Sequence, residues 1–246
     1  MSDMKKILLI GGTKEAVTLN RELFARPDID LVTSLAGRTA QPATLKGHVV
    51  TGGFGGTAGL AEFIDQNRVD HIIDASHPYA EQITRTAITV CRAKGIPCLR
   101  YLRPAWEKQQ EDHWIAAGNM EDAPEKTKNF NRVFLSIGRQ ELAHFEKIPR
   151  KYFLVRTIEP IEFNPENSQA ELIRARGPFT LEDEARLMVE HRIDLIVSKN
   201  SGGAATYPKI EAARQLRIPV VMIDRPETTE GKIFSRLQDL IAAIDG

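Results

Sequence analysis

Short apolar runs and amphipathic stretches alternate along this chain. Residues 6–10, apolar after Lys6, form a short run closed by Gly11-Gly12, the pattern of a strand buried on both faces of a parallel sheet. Residues 14–25 place Ala16, Leu19, Leu23 and Phe24 at helical spacing and stop at Arg26-Pro27. The same rhythm predicts strands over 30–35, 48–51, 69–75 and 97–102, with helices over 57–67 and 79–94. Strands alternating with helices of this length build βαβ units and a parallel sheet.

Residues 103–131 break the rhythm. They are polar and net acidic and contain Pro104, Gly118 and Pro124, with one strand expected near Trp114 to Ala117. Alternation then resumes with strands over 132–137, 152–156, 193–198 and 218–223. Helices are expected over 140–145, 180–191, 204–216 and 232–244. Thr180, with Asp183 three residues on, reads as a helix N-cap. Residues 165–177 fit either a helix or a short strand near Leu172. The predicted fold class is α/β with two Rossmann-like domains. Residues 1–103 form the first and 104–246 the second, with an active-site cleft expected between them.

Composition narrows the function. Lys plus Arg and Asp plus Glu both number 33, so the chain of 246 residues carries no net charge. A general nucleic-acid binder needs a basic excess, and 42% hydrophobic residues exclude a disordered chain. Two Trp and four Tyr make a base-stacking surface a poor fit. No apolar run approaches the ~18 residues of a membrane helix, and the stretch 7–11 reads as a strand rather than a leader. Cys91 and Cys98 are too few for a disulfide framework and have no zinc spacing, so a cytoplasmic location and no metal are expected.

In open parallel sheets ligands bind beyond the carboxyl ends of the strands. The residues there are rich in chemistry. Gly11-Gly12-Thr13 leads into a helix, so the backbone turns tightly and N–H groups face a phosphate. After the second strand come Ser34, Gly37 and Arg38. No acidic residue lies between Asp30 and Glu62, and an Arg here accommodates the 2′-phosphate of NADP. Gly52-Gly53-Phe54-Gly55-Gly56 places four glycines in five residues, which close approach to a cofactor explains better than a plain turn. Asp74-Ala75-Ser76-His77-Pro78-Tyr79 gathers a carboxylate, hydroxyl, imidazole and phenol before a helix; capping by Ser76 or Asp74 is compatible with a site role.

In the second half, Ser198-Lys199-Asn200-Ser201-Gly202-Gly203 is dense in hydrogen-bond donors and suits a carboxylate or phosphate. Arg139 and Arg176 precede helices. Although the chain is neutral overall, residues 132–156 hold six basic against two acidic residues. No Gly-x-Ser-x-Gly elbow, Walker A loop or His-Glu-x-x-His is present.

Taken in order, these loops resemble the precorrin-6A reductase family of corrin biosynthesis. The similarity also includes residues 218–226, Ile-Pro-Val-Val-Met-Ile-Asp-Arg-Pro. The resemblance implies reduction of the C18=C19 double bond of the tetrapyrrole precorrin-6A to precorrin-6B. NADPH gives a hydride to carbon 19 and a proton reaches carbon 18. Gly11, Gly12, Thr13, Ser34, Gly37, Arg38, Gly52, Gly53, Phe54, Gly55, Ser76 and His77 would then hold the cofactor. Tyr79, Arg139, Arg176, Ser198, Lys199, Asn200, Ser201, Gly202 and Gly203 would hold the substrate. His77, Tyr79 and Lys199 are candidates for proton donation or substrate orientation. Partners beyond the substrate would be transient contacts with neighbouring pathway enzymes. Two alternatives stand beside this: another NADP-dependent reductase, although no Tyr-x-x-x-Lys occurs, or a nucleotide-binding sensor without catalysis.

Overall fold

A computed structural model of the protein describes residues 4–37, 44–227 and 231–245. The first stretch of elements is β1 (Lys5–Ile10), α1 (Lys14–Phe24), β2 (Ile29–Leu35), β3 (His48–Thr51), α2 (Gly56–Asn67), β4 (His71–Asp74), α3 (Glu81–Lys94) and β5 (Cys98–Tyr101). Then follow β6 (Trp114–Ala117), α4 (Ala123–Lys126), β7 (Arg132–Ser136), a 3₁₀ turn (Arg139–Phe145), β8 (Tyr152–Thr157), β9 (Gln169–Arg174), α5 (Leu181–Glu190) and β10 (Leu195–Lys199). A short 3₁₀ turn (Ala204–Thr206), α6 (Pro208–Gln215), β11 (Val220–Ile223), β12 (Lys232–Phe234) and α7 (Leu237–Asp245) complete the chain.

Two compact units result. The first is Met1–Pro104 with Glu227–Gly246, and the second is Ala105–Pro226. The first unit's sheet has the strand order β12-β5-β4-β1-β2-β3, and every pairing in it is parallel. Its core shows why β1 reads as an unbroken apolar run. Ile7 and Leu9 pack with Leu19 and Leu23 of α1 and Leu240 and Ile244 of α7. Leu8 and Ile10 pack on the opposite face with Leu60 and Ile64 of α2 and Val90 and Cys91 of α3. Successive residues of a strand point to opposite faces, so a sheet covered on both sides demands apolar residues at every position.

The second unit has the order β6-β11-β10-β7-β8-β9, again all parallel. Phe134, Leu154, Ile196 and Met222 pack with Met188 of α5 and Ile210 of α6. Phe153 packs edge-on with Phe145 and Phe163 at centroid distances of 6.4 and 5.7 Å.

Three expectations need correction. The second domain does not run to residue 246, because β12 pairs with β5 and α7 packs on the first sheet. Residues 232–234 are a strand rather than the start of a helix, since Phe234 O accepts from Leu102 N at 2.8 Å. That pairing overrides a helical pattern that properly starts at Leu237. Finally, the helix expected over 204–216 is interrupted. Pro208, with no N–H, starts a new helix at its first turn instead of continuing the preceding one. The open stretch near Leu172 is the edge strand β9.

Candidate active site

In the first unit the strand order reverses between β1 and β4. Ligands of doubly wound sheets bind at that point, beyond the carboxyl ends. Gly11, Gly12 and Thr13 follow β1 here, and Ala75 and Ser76 follow β4. Thr13 joins the two loops: its Oγ1 accepts from Ala16 N at 3.1 Å, capping α1, and donates to Ala75 O at 2.8 Å. Its hydroxyl proton is thereby committed to the fold, so a donor to a ligand here must come from the backbone. Gly12 has φ +118°, and a Cβ there would meet nothing within 4 Å, so the turn is both glycine-dependent and open above. Gly11 N donates to the carbonyl of buried Ser34 at 2.8 Å, tying the β1 and β2 ends together.

The second glycine cluster leaves β3 and enters α2. Gly55 is the N-cap of α2 in a left-handed conformation, with no side chain over the first-turn N–H groups. Cβ atoms at Gly52, Gly53, Gly55 or Gly56 would also meet nothing within 4 Å. Gly37 abuts this loop, its would-be Cβ lying 3.3 Å from Thr51 Cγ2. Phe54 anchors the loop by an edge contact with Phe63 at 5.1 Å, so its ring belongs to the core side. Arg38 lies outside the described residues.

The loop after β4 is organised by buried Asp74. Its Oδ1 accepts from Ser76 N at 3.0 Å, its Oδ2 accepts from Thr84 Oγ1 at 2.6 Å, and Arg100 Nε lies 3.6 Å away. Asp74 therefore holds the loop rather than facing a ligand. His77 Nδ1 accepts from Tyr79 N at 3.3 Å, which places the proton of a neutral ring on Nε2. The two rings lie 5.8 Å apart. Ser76 is 8% exposed, and its hydroxyl has no hydrogen-bond partner among the described residues. With Thr13, Glu15, Pro78, Tyr101 and Arg103 it lines a narrow recess. Arg103 Nη1 donates to Glu15 Oε2 at 2.9 Å. Burial, then the Glu15 charge, pushes the Tyr101 phenol up, so it stays a neutral O–H. None of Glu15, Tyr101 and Arg103 was singled out by sequence reasoning, since only the strand order brings the end of β5 beside β4.

In the second unit the order reverses between β7 and β10. Ser136 ends β7 and Lys199 ends β10. Lys199 Nζ pairs with Glu141 Oε1, which neutralises the ammonium in place. Ser198 is buried, its Oγ donating to Lys199 O at 3.2 Å. Asn200 uses its whole amide on the backbone of Trp106: Oδ1 accepts from Trp106 N at 2.8 Å, and Nδ2 donates to Trp106 O at 3.1 Å. Trp106 Nε1 in turn donates to Gly203 O at 3.0 Å. Together with Tyr207, Trp106 and Gly203 border an open cleft of about 360 Å³. Gly203 thus lines the cleft and Asn200 holds Trp106 in its wall, while Ser201 and Gly202 form the buried turn between them. Arg139 and Arg176 are exposed near the strand ends. Trp106 was missed because its partners lie more than 90 residues away in sequence.

Among the described residues no group of three or more His, Cys, Asp or Glu side chains gathers as a metal site, and no helix is long and apolar enough to cross a membrane.

Comparison with known proteins gives a consistent result. Residues 6–245 match the family described as Precorrin-6x reductase CbiJ/CobK. A Precorrin-6A reductase of Rhodococcus erythropolis is 45% identical over 226 residues, 91% of this chain and 90% of that one. A Cobalt-precorrin-6A reductase of Priestia megaterium is 28% identical over 251 residues, 97% of each chain. A solved structure titled CobK precorrin-6A reductase matches with a TM-score of 0.91 and 34% identity, over 98% of this chain and 96% of that one. The strand order, the strand-end loops and a match over nearly the whole length agree, and the chain belongs to the Precorrin-6x reductase CbiJ/CobK family.

Proposed function

We propose that the chain reduces precorrin-6A with NADPH, the first unit holding the cofactor and the second the carboxylate side chains of the tetrapyrrole. The observation that carries the reading is 45% identity over nine-tenths of the chain to a precorrin-6A reductase. The chain stands nearer to that relative than to the one named for cobalt-precorrin-6A. The substrate we propose is accordingly the cobalt-free macrocycle.

The residues of the first unit fit a dinucleotide. The open backbone at Gly12 and the uncapped first turn of α2 suit phosphate oxygens, and the unpartnered Ser76 hydroxyl suits a polar group of the nicotinamide end. Bound NADPH supplies the hydride, and the chain supplies orientation, exclusion of water and a proton. His77 Nε2 and the Tyr79 hydroxyl are the proposed proton donors. Lys199, kept in place by Glu141, orients a substrate carboxylate, with Arg139 and Arg176 as further cationic partners.

Arg38 is assigned to the 2′-phosphate of NADPH. Arg38→Ala is expected to weaken NADPH binding about 10- to 100-fold, the worth of lost charge-assisted hydrogen bonds to a phosphate, and NADH binding by less than about twofold. Fluorescence titration of both nucleotides checks this. Equal losses for the two would remove Arg38 from the phosphate site.

A further inference from the structure

One charged group of the second unit has no part in the roles above. Lys209, in the first turn of α6, is 4% exposed. Its Nζ donates to Ser136 Oγ at 3.0 Å and lies 5.4 Å from the centre of the Trp106 ring. Ser136 is the last residue of β7, at the reversal of strand order. Two charged groups from other elements act on Lys209: Arg156 near the end of β8 and Glu184 in α5. Those two pair with each other through both guanidinium arms and so cancel. The surplus positive charge of this buried cluster is therefore that of Lys209. Burial chiefly brings its ammonium down to about 7; Arg156 adds to that fall and Glu184 opposes it.

Ser136 accepts the lysine's hydrogen bond, so its own proton must point elsewhere. Among the described residues no protein acceptor takes it. A hydroxyl polarised by an ammonium on one side is a stronger donor on the other. Ser136 is half-buried and sits where ligands of an open parallel sheet bind. The group it meets must be an acceptor, and the surplus charge beneath favours an anion.

We propose that Lys209 is a positioning residue for a substrate carboxylate: when protonated, it turns the Ser136 hydroxyl outward as a donor to that carboxylate. The inference rests on the reductase reading. When Lys209 is neutral, the Ser136 proton can turn inward to Nζ, and the carboxylate loses both a donor and a nearby charge. The ammonium is present below its pKa and lost as pH rises through it, so substrate binding weakens with rising pH.

The test is the KM for precorrin-6A, followed by NADPH oxidation from about pH 6 to about pH 8.5, with NADPH affinity titrated separately. The wild-type KM is expected to rise about tenfold over that range. In Lys209→Met, KM starts about tenfold higher and loses this rise. Ser136→Ala also starts higher but keeps the smaller part of the rise that comes from the Lys209 charge alone; it removes only one hydroxyl, so it carries the test if the methionine variant fails to fold. Lys209→Arg keeps a low KM at both ends, because a guanidinium does not titrate there. NADPH affinity stays within about twofold throughout. A Lys209→Met or Ser136→Ala profile that rises in parallel with wild type overturns the proposal. Absence of any precorrin-6A-dependent NADPH oxidation by the wild-type chain overturns the reductase reading instead, and the carboxylate role falls with it.

Discussion

Replacing Glu184 with alanine is expected to destabilise the second unit by about 3–5 kcal/mol, because it breaks a buried ion pair from one side only. Glu184 is 1% exposed and holds Arg156 through both arms. Arg156 also lies against two rings, its guanidinium carbon 4.9 Å from the Phe134 ring centre and 3.8 Å from that of Phe179. Without the carboxylate, two cations, Arg156 and Lys209, share an apolar core with no anion. Glu184 also raises the Lys209 pKa, so its loss should drive that lysine further toward the neutral form. Urea unfolding should show a lower midpoint at unchanged slope. The double variant Arg156→Met with Glu184→Leu should recover most of the loss, since apolar groups of similar volume replace such pairs at little cost. A Glu184→Ala loss below about 1 kcal/mol would mean that the pair is solvated and contributes no more than a surface contact.

Gly59→Ala is expected to be destabilising although alanine is the better helix former. Gly59 lies inside α2, and a Cβ there would stand 1.6 Å from Phe54 O, on the loop that carries Gly52 to Gly56. Helix propensity alone favours alanine by about 1 kcal/mol. Overpacking against backbone costs about 1–3 kcal/mol, and at this separation the carbonyl must move bodily. The net expectation is a loss of about 2 kcal/mol, with NADPH binding weakened about tenfold as the glycine loop shifts. Glu62→Ala, on the exposed side of the same helix, should leave NADPH affinity unchanged. A Gly59→Ala protein that melts higher and binds NADPH normally would show that the loop yields freely.

Much of the fold is legible in the sequence because both sheets are parallel and covered on each face. Under that condition a strand such as Ile7-Leu8-Leu9-Ile10 must be wholly apolar, and the strand-end loops advertise themselves by glycine and hydroxyl residues. Return of the C-terminal segment to the first sheet is not legible. Lys232-Ile233-Phe234 is too short for a period, and its pairing with Leu99 and Tyr101 is a tertiary event. The candidate site divides in the same way. Gly12 and the Gly52–Gly56 loop stand out because a backbone requirement leaves a composition signal. Asn200 illustrates the opposite case: its amide looks like a ligand donor in a polar loop, yet both arms hold Trp106. Phe54 likewise sits in a glycine-rich loop but packs on Phe63. Lys209 stands between Pro208 and Ile210, and nothing in the sequence around it sets it apart from a surface lysine. Only the packing of α6 on the sheet buries it.

The central claim is tested most directly by mixing the purified protein with NADPH and precorrin-6A and following the nicotinamide absorbance band together with the mass of the macrocycle. The reductase reading predicts that absorbance falls only when the tetrapyrrole is present, that NADH substitutes poorly, and that the product is two hydrogens heavier. Nucleotide binding without loss of absorbance in the presence of intact precorrin-6A would contradict it and leave a binding protein without catalysis.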